Sequence, residues 1–299
     1  MIATKFPTTK IPQSQLQILV RQFEEGMQFA RGTTRHVYAK ALDQLLAYAK
    51  TSAFGFTPDD FVQFRVWLFN QKNLSTNTVN TYLTASRRFC EFLVEMGVLH
   101  TNPAWSVHGS AQEFKILGIG LTEVTKAISR IDRTTVLGKR DYAFLMTMLE
   151  CGAAIYELVN ADIGDLKRNG NKVELWVKSN GTKGKYDALT LGESAAAALY
   201  EYIDSRGIVA ADEPLFGIIR AGRPQKVRLS FRGVRAAMRK RLKVDEKRIL
   251  RLDSLRTYCA VRLMKQGKTS DEIRSFMRFK SGMPFRRIMT NSKAIIESR

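Results

Sequence analysis

RLDSLRTYCAVRLMKQGKTSDEIRSFMRF, residues 251–279, places apolar side chains three and four apart in two runs that meet at Gly267. That spacing predicts helices over 253–266 and 270–280, with Gly267 stopping the first and Ser270 capping the second. Tyr258 stands mid-helix on the apolar side with Cys259 and reads as core packing. The segment upstream, 230–242, is also helical in pattern: Ser230 caps it, Val234, Met238 and Leu242 line one side, and Arg232, Arg235 and Arg239 line another. Arg220, Arg223, Lys226 and Arg228 precede this basic face, and Arg262, Arg274, Arg278, Arg286 and Arg287 follow it. Residues 220–299 hold 24 Lys and Arg against 6 Asp and Glu, whereas residues 1–219 are near balance at 24 against 22. One sign of charge at that density repels itself on folding, so it implies a polyanionic partner, of which nucleic acid is the commonest.

Toward the N-terminus, the same spacing predicts helices at 193–205, 139–151 and 122–132. Alternation in Val173, Leu175 and Val177, then in Tyr186, Ala188 and Thr190, predicts a hairpin around Asn180-Gly181. The stretch from Thr101 to Gly120 loses periodicity and contains Pro103 and several glycines, which marks a linker at 106–120. Ahead of it, apolar stripes predict four helices. The first carries Leu16, Leu19, Val20, Phe23 and Met27, and the second Val37, Ala41, Leu42, Leu45 and Ala49. The third opens at Thr57-Pro58-Asp59-Asp60 and buries Phe61, Phe64 and Leu68. The fourth follows Ser75, carries Val79, Tyr82, Leu83, Cys90, Leu93 and Met96 on one side, and ends near Gly97. The expected organisation is a helical domain at 1–105, the linker, and a second domain at 121–299, mainly α with a small β-sheet.

Cys90, Cys151 and Cys259 are isolated and odd in number, which fits neither a disulfide framework nor a zinc site. No metal and no cofactor is expected. The sequence has no apolar run of membrane-spanning length, and its first residues lack the apolar stretch of a secretory signal. A cytoplasmic, nucleoid-associated protein is expected, with double-stranded DNA as its partner and no membrane.

Ser75-Thr76-Asn77-Thr78-Val79 with Tyr82-Leu83, Phe89, Phe92-Leu93, Gly97 and Asn102-Pro103 resembles the last helix and linker of the core-binding domain of tyrosine recombinases of the phage-integrase and Xer type. Leu255-Arg256, Gly267 and Ile273 keep that family's order and spacing, and Gly152-Ala153-Ala154-Ile155-Tyr156-Glu157-Leu158 resembles its glycine-x-arginine-isoleucine-x-glutamate-leucine box. The resemblance spans roughly residues 15–290. It implies a helical core-binding (SAM-like) domain and an α/β catalytic-type domain that close around duplex DNA as a clamp. In active members a tyrosine attacks a phosphodiester, two arginines hold the phosphate, and a lysine and two histidines, or a histidine and a tryptophan, handle protons. Preorganised cations must meet the charge that spreads over the non-bridging oxygens.

Laid on this chain, the first arginine falls on Ala154, the lysine on Lys183 or Lys185, the first histidine on Asp253, the second arginine on Arg256, the second histidine or tryptophan on Phe279, and the nucleophile on Ile288. Lys183 and Arg256 remain as remnants. No tyrosine follows Tyr258 and no histidine follows His108, so a shift of register does not recover the lost roles. Ser281, Thr290 and Ser292 lie near the lost position without a visible base to activate them. Asp253 reads as an acidic residue that favours the helix dipole and orients Arg256, or as a carboxylate that repels phosphate. Ala154 and Phe279 read as apolar filler. The residues expected on DNA are Lys183, Lys185, Arg228, Arg232, Arg235, Arg239, Arg256, Arg278, Arg286 and Arg287.

The expected function is a sequence-specific duplex-DNA binder with an inactive tyrosine-recombinase fold, acting as a transcriptional regulator or an accessory factor of a mobile element. A divergent site-specific recombinase or integrase is the alternative. Self-association or an active recombinase are the further partners, with Ala294-Ile295-Ile296 as a tail that docks on a neighbouring subunit.

Overall fold

A capping box starts the third helix of the chain: the Asp60 backbone N–H donates to Thr57 Oγ1 (3.3 Å), and the Thr57 N–H donates to Asp60 Oδ2 (2.8 Å). Local signals of this kind place most elements. The computed structural model describes residues 8–27, 32–110, 119–178, 186–246, 248–280 and 282–297, and the chain forms two compact units, Met1–Glu113 and Phe114–Arg299. The first is helical: α1 (Gln13–Gly26), α2 (Gly32–Thr51), α3 (Pro58–Asn70) and α4 (Thr76–Glu95). Their buried faces carry the predicted stripes, including Leu16, Leu42, Phe61, Phe64, Val79 and Leu93. Met96 is the exception. It lies past the end of α4, where the helical period no longer points it inward, and it is exposed.

Residues 106–110, read from the sequence as linker, are fastened to the first unit. Val107 is buried, the Arg87 guanidinium donates to the carbonyls of Ala104 and Val107 (3.2 and 2.8 Å), and the Asn80 amide exchanges two hydrogen bonds with the Ser110 backbone. The rest of that linker includes 111–118, outside the described residues.

The second unit is mainly α with small β-sheets. Its elements run α5 (Leu121–Ser129), α6 (Val136–Cys151), α7 (Ile155–Val159), β1 (Leu166–Asn169), β2 (Lys172–Lys178), β3 (Tyr186–Thr190), α8 (Glu193–Asp204), β4 (Gly217–Arg220), β5 (Arg223–Arg228), α9 (Phe231–Arg241), α10 (Leu255–Lys265), α11 (Ser270–Phe276) and α12 (Gly282–Glu297). Strands β1, β2 and β3 are antiparallel in that order, with Leu175 opposite both Leu166 and Leu189. The predicted hairpin is therefore present, while its turn, with Lys183 and Lys185, lies outside the described residues. Strands β4 and β5 form a second antiparallel hairpin with positive φ at Ala221 and Gly222.

Helix α6 is buried on nearly every side, as a helix through the middle of a core must be. Within it Asp141, 2% exposed, accepts two bonds from the adjacent Arg140 guanidinium (2.7 and 3.0 Å) and one from Arg241 at the end of α9 (3.0 Å). Arg140 also donates to the Gly217 carbonyl at the start of β4 (3.1 Å). One carboxylate thus ties α6 to α9, and its partner ties α6 to β4.

Several expectations for the C-terminal end are corrected. Thr269, not Ser270, caps α11, in a box with Glu272. The helix ends at Phe276 rather than 280, and Arg278 takes φ +55°. Residues 282–297 form α12, which folds back on its own unit: Ile295 packs on the main core, and the buried Ser292 hydroxyl oxygen lies 3.1 Å from the Thr257 carbonyl. Ala294, Ile295 and Ile296, the expected docking tail, are each half-buried within their own chain. Tyr258 is buried as expected, its hydroxyl donating to the Ile119 carbonyl (2.8 Å). The cysteines are free and buried, Cys90 in the first unit and Cys151 and Cys259 in the second. Burial raises all three thiol pKa values, that of Cys151 to about 12.

Replacing Asp141 by Ala leaves the Arg140 guanidinium buried without its counter-ion. Loss of one partner of a buried pair costs about 3–5 kcal/mol, so thermal melting of Asp141→Ala is expected to fall by roughly 10 °C. A melt within a degree of the parent chain would show that the pair contributes nothing.

Candidate nucleic-acid interface

Arg256 lies in the first turn of α10, where its guanidinium reaches the ends of two other helices. Nε donates to the carbonyl of Gly152, which terminates α6, and Nη2 donates to that of Met277, which terminates α11, each at 2.9 Å. Unpaired carbonyls and the negative end of the helix dipole make both termini favourable places for a cation. Phe279 covers the guanidinium, with its ring centroid 4.2 Å from the Arg256 Cζ. Burial pulls the Arg256 pKa below the ordinary guanidinium value. Gly152 sits at φ +59°, and a Cβ there would meet Met277 at 3.0 Å, so both conformation and space call for glycine.

Close by, the Ala154 backbone N–H donates to Glu157 Oε2 (2.7 Å), and the same carboxylate holds Arg278 at 2.9 and 3.3 Å. The Glu157 and Arg278 side chains are 7% and 10% exposed. Phe279 packs on Phe285 at 5.6 Å, and Ile288 joins them in an apolar cluster with Cys259, Leu263, Ile273 and Met277. The structure thus brings together Arg256, Phe279 and Ile288. An aromatic ring and a branched alkyl group stand there, and neither donates a hydrogen bond to a developing oxyanion. Phe279 packs on the apolar cluster and also shields Arg256. The hydroxyls of Thr290 and Ser292 point back to the carbonyls of Arg286 and Ile288 in their own helix.

Asp253 does not orient Arg256. It lies in a 3-10 turn ahead of α10 and pairs with Arg235 of α9 at 3.2 Å, both side chains half-exposed. The physical reason is reach: α9 presents its basic face to that turn, while Arg256 turns to the two helix ends.

The ten residues expected on DNA separate in the structure. On α9, Arg232, Arg235 and Arg239 are exposed, opposite the buried Val234 and Met238, as the helical period predicts. Arg286 and Arg287 are exposed on α12. Arg278 is withdrawn from the open surface by Glu157. Arg228 is engaged by Asp162 and by the carbonyls of Val159 and Ala161 (2.8 and 3.0 Å), so it braces the loop after α7. Arg256 has two donors committed to helix ends. Arg251, exposed beside Asp253, was missed, although its place two residues before Asp253 was a usable signal.

The phage integrase family pattern matches residues 121–286. The chain is 29% identical over 201 residues to tyrosine recombinase XerC of Salmonella typhi, covering 66% of this chain and 64% of that one. It is 30% identical over 135 residues to XerC of Pelobacter propionicus, covering 45% and 43%. The chain therefore spans less than two thirds of the length of these curated relatives. Among solved structures, XerH site-specific recombinase bound to a palindromic difH substrate matches with a TM-score of 0.68 at 14% identity, covering 93% of this chain and 81% of that one. A lambda integrase dimer bound to a core site matches at 0.65 and 13%, covering 89% and 95%. At these identities the likeness establishes the fold.

The bonds of Arg256 are charge-assisted, and each contributes about 1.5–3 kcal/mol. Arg256→Ala is expected to lower stability by about 2–4 kcal/mol in urea unfolding followed by circular dichroism. An unchanged midpoint would show that the two helix ends do not depend on it.

Proposed function

The chain belongs to the phage integrase family, and on that premise we propose that it binds duplex DNA through its basic C-terminal unit and does not cut it by the family's tyrosine chemistry. The observation that carries this reading is Ile288, packed among Phe285, Met277 and Leu263 at the position the family gives to its nucleophile. Residues 259–299 hold no tyrosine, and Tyr258 itself is buried with its hydroxyl bound to a carbonyl. Four of the six positions that support phosphoryl transfer hold Ala154, Asp253, Phe279 and Ile288, and groups that act as one catalytic unit fail together. In support of binding, Arg232 and Arg239 form no ion pair among the described residues, and Arg286 adds a further open cation.

In this reading the protein is a sequence-specific regulator, or an accessory partner of an active recombinase encoded by a mobile element, and it sits on the nucleoid. Its domains are assigned at 1–105 and 121–299. The second reading, a divergent recombinase, is favoured by the curated relatives, which are named tyrosine recombinases, and by the retained Arg256. A nicked suicide duplex carrying the mapped binding site separates the two. A covalent protein–DNA adduct on a denaturing gel overturns the leading reading, and a mobility shift without adduct supports it. Ile288→Tyr alone is expected to give no adduct either, because the ring would face a phosphate without the other donors.

Duplex affinity is expected to fall steeply with salt, with a log-log slope of several units, since each neutralised phosphate contributes about 0.9. Replacing Arg232 and Arg239 together by Ala should reduce that slope by roughly 2, read by fluorescence anisotropy on protein whose melting is unchanged. A flat salt dependence of the parent chain would sink the electrostatic reading.

A further inference from the structure

Between α9 and the turn that precedes α10 lies a cleft of about 320 Å³, lined by Arg235, Arg239, Ile249, Leu250, Arg251, Leu252 and Asp253. Three arginines and one aspartate line it, and the aspartate pairs with one of the arginines, Asp253 with Arg235 at 3.2 Å. The volume is roughly that of ten waters. The pair is half-exposed on both sides, so it contributes little to folding and opens easily. Arg239 and Arg251 are exposed on the walls of the cleft.

We propose that this cleft is a phosphodiester site, in which one DNA phosphate is held by Arg235, Arg239 and Arg251 after displacing Asp253, and that Asp253 is a built-in counter-ion that weakens DNA binding. The proposal rests on the DNA-binding reading above and names where on the basic unit a phosphate sits and what restrains it. A carboxylate in the cleft acts twice. It occupies donors that a phosphate oxygen would use, and it leaves a negative charge beside the bound phosphate. An arginine pair with a carboxylate and one with a phosphate use the same planar donor geometry, so the exchange needs no rebuilding of the site. Asp253 is the only carboxylate among the lining residues, so its removal leaves the cleft lined by cations alone among charged groups.

The test uses the full chain, a fluorescein-labelled duplex and anisotropy titrations at several salt concentrations. Asp253→Asn is expected to tighten binding about three- to tenfold at low salt, whereas Asp204→Asn, an exposed carboxylate at the end of α8, should tighten it less than twofold. Arg251→Ala should weaken binding and lower the salt slope by about 1. In an Arg235→Ala background the gain from Asp253→Asn should shrink, which measures the coupling directly. Inorganic phosphate, added at constant ionic strength, should not displace the duplex at millimolar concentration. Its doing so would reassign the cleft to a free anion and overturn the proposal. If Asp253→Asn binds no tighter than the parent, or Asp204→Asn gains as much, the cleft is not the site. If the parent chain binds no duplex at all, the DNA-binding reading fails first, and the two failures are told apart by that single measurement.

Discussion

Asp141 lies almost without solvent between Arg140 and Arg241, and the placement of the basic helix follows from it. A buried carboxylate must be paired, because its desolvation is otherwise uncompensated. The need for a second cation draws the C-terminal end of α9 onto α6, while Val234 and Met238 seat the same helix on the core. With both constraints met, Arg232, Arg235 and Arg239 have one direction left, outward. The same α6 carries Gly152 at its far end, where Arg256 docks, so one central helix sets the positions of the basic face and of Arg256.

Glu157, Gly152 and Arg256 each have an internal partner: Glu157 holds Arg278, Gly152 gives its carbonyl to Arg256, and Arg256 lies under Phe279. The donors of Arg256 and Arg278 are turned inward, to helix ends and to a carboxylate. The retention of Arg256 therefore has a sufficient structural cause, the joining of α6, α10 and α11, independent of any reaction.

Most helices were legible because each carries both a period and a punctuation mark. Thr57 with Asp60, Ser75, Ser230 and Gly267 mark ends where the structure has them. The β4–β5 hairpin was not legible. Its strands are rich in Arg, Lys and Pro without alternation, and its turn is Ala221-Gly222 rather than the Asn-Gly pair that announces a tight turn. Helix α12 was missed because its apolar residues pack on two different clusters, Phe285 and Ile288 on one and Ile295 on the other, which breaks the expectation of a single stripe. In the site, it was the family resemblance that pointed to Arg256, Phe279 and Ile288, which the structure brings together. The partners of Asp253, Arg228 and Arg278 could not be read from the sequence, since they come from residues 18 to 121 positions away in the chain.

The buried thiols have a consequence for how the two units breathe. A thiol reacts with an alkylating reagent only as the thiolate, and burial suppresses that form in all three cysteines. Each can be modified only while the structure around it is open, so the rate of modification records how often that happens. Cys90 sits on the buried face of α4 in the first unit, while Cys151 and Cys259 sit at the joint of α6 and α10 in the second. The chain thus carries a separate native clock for each half, and the one in the second half ticks at the very helix ends that Arg256 holds together.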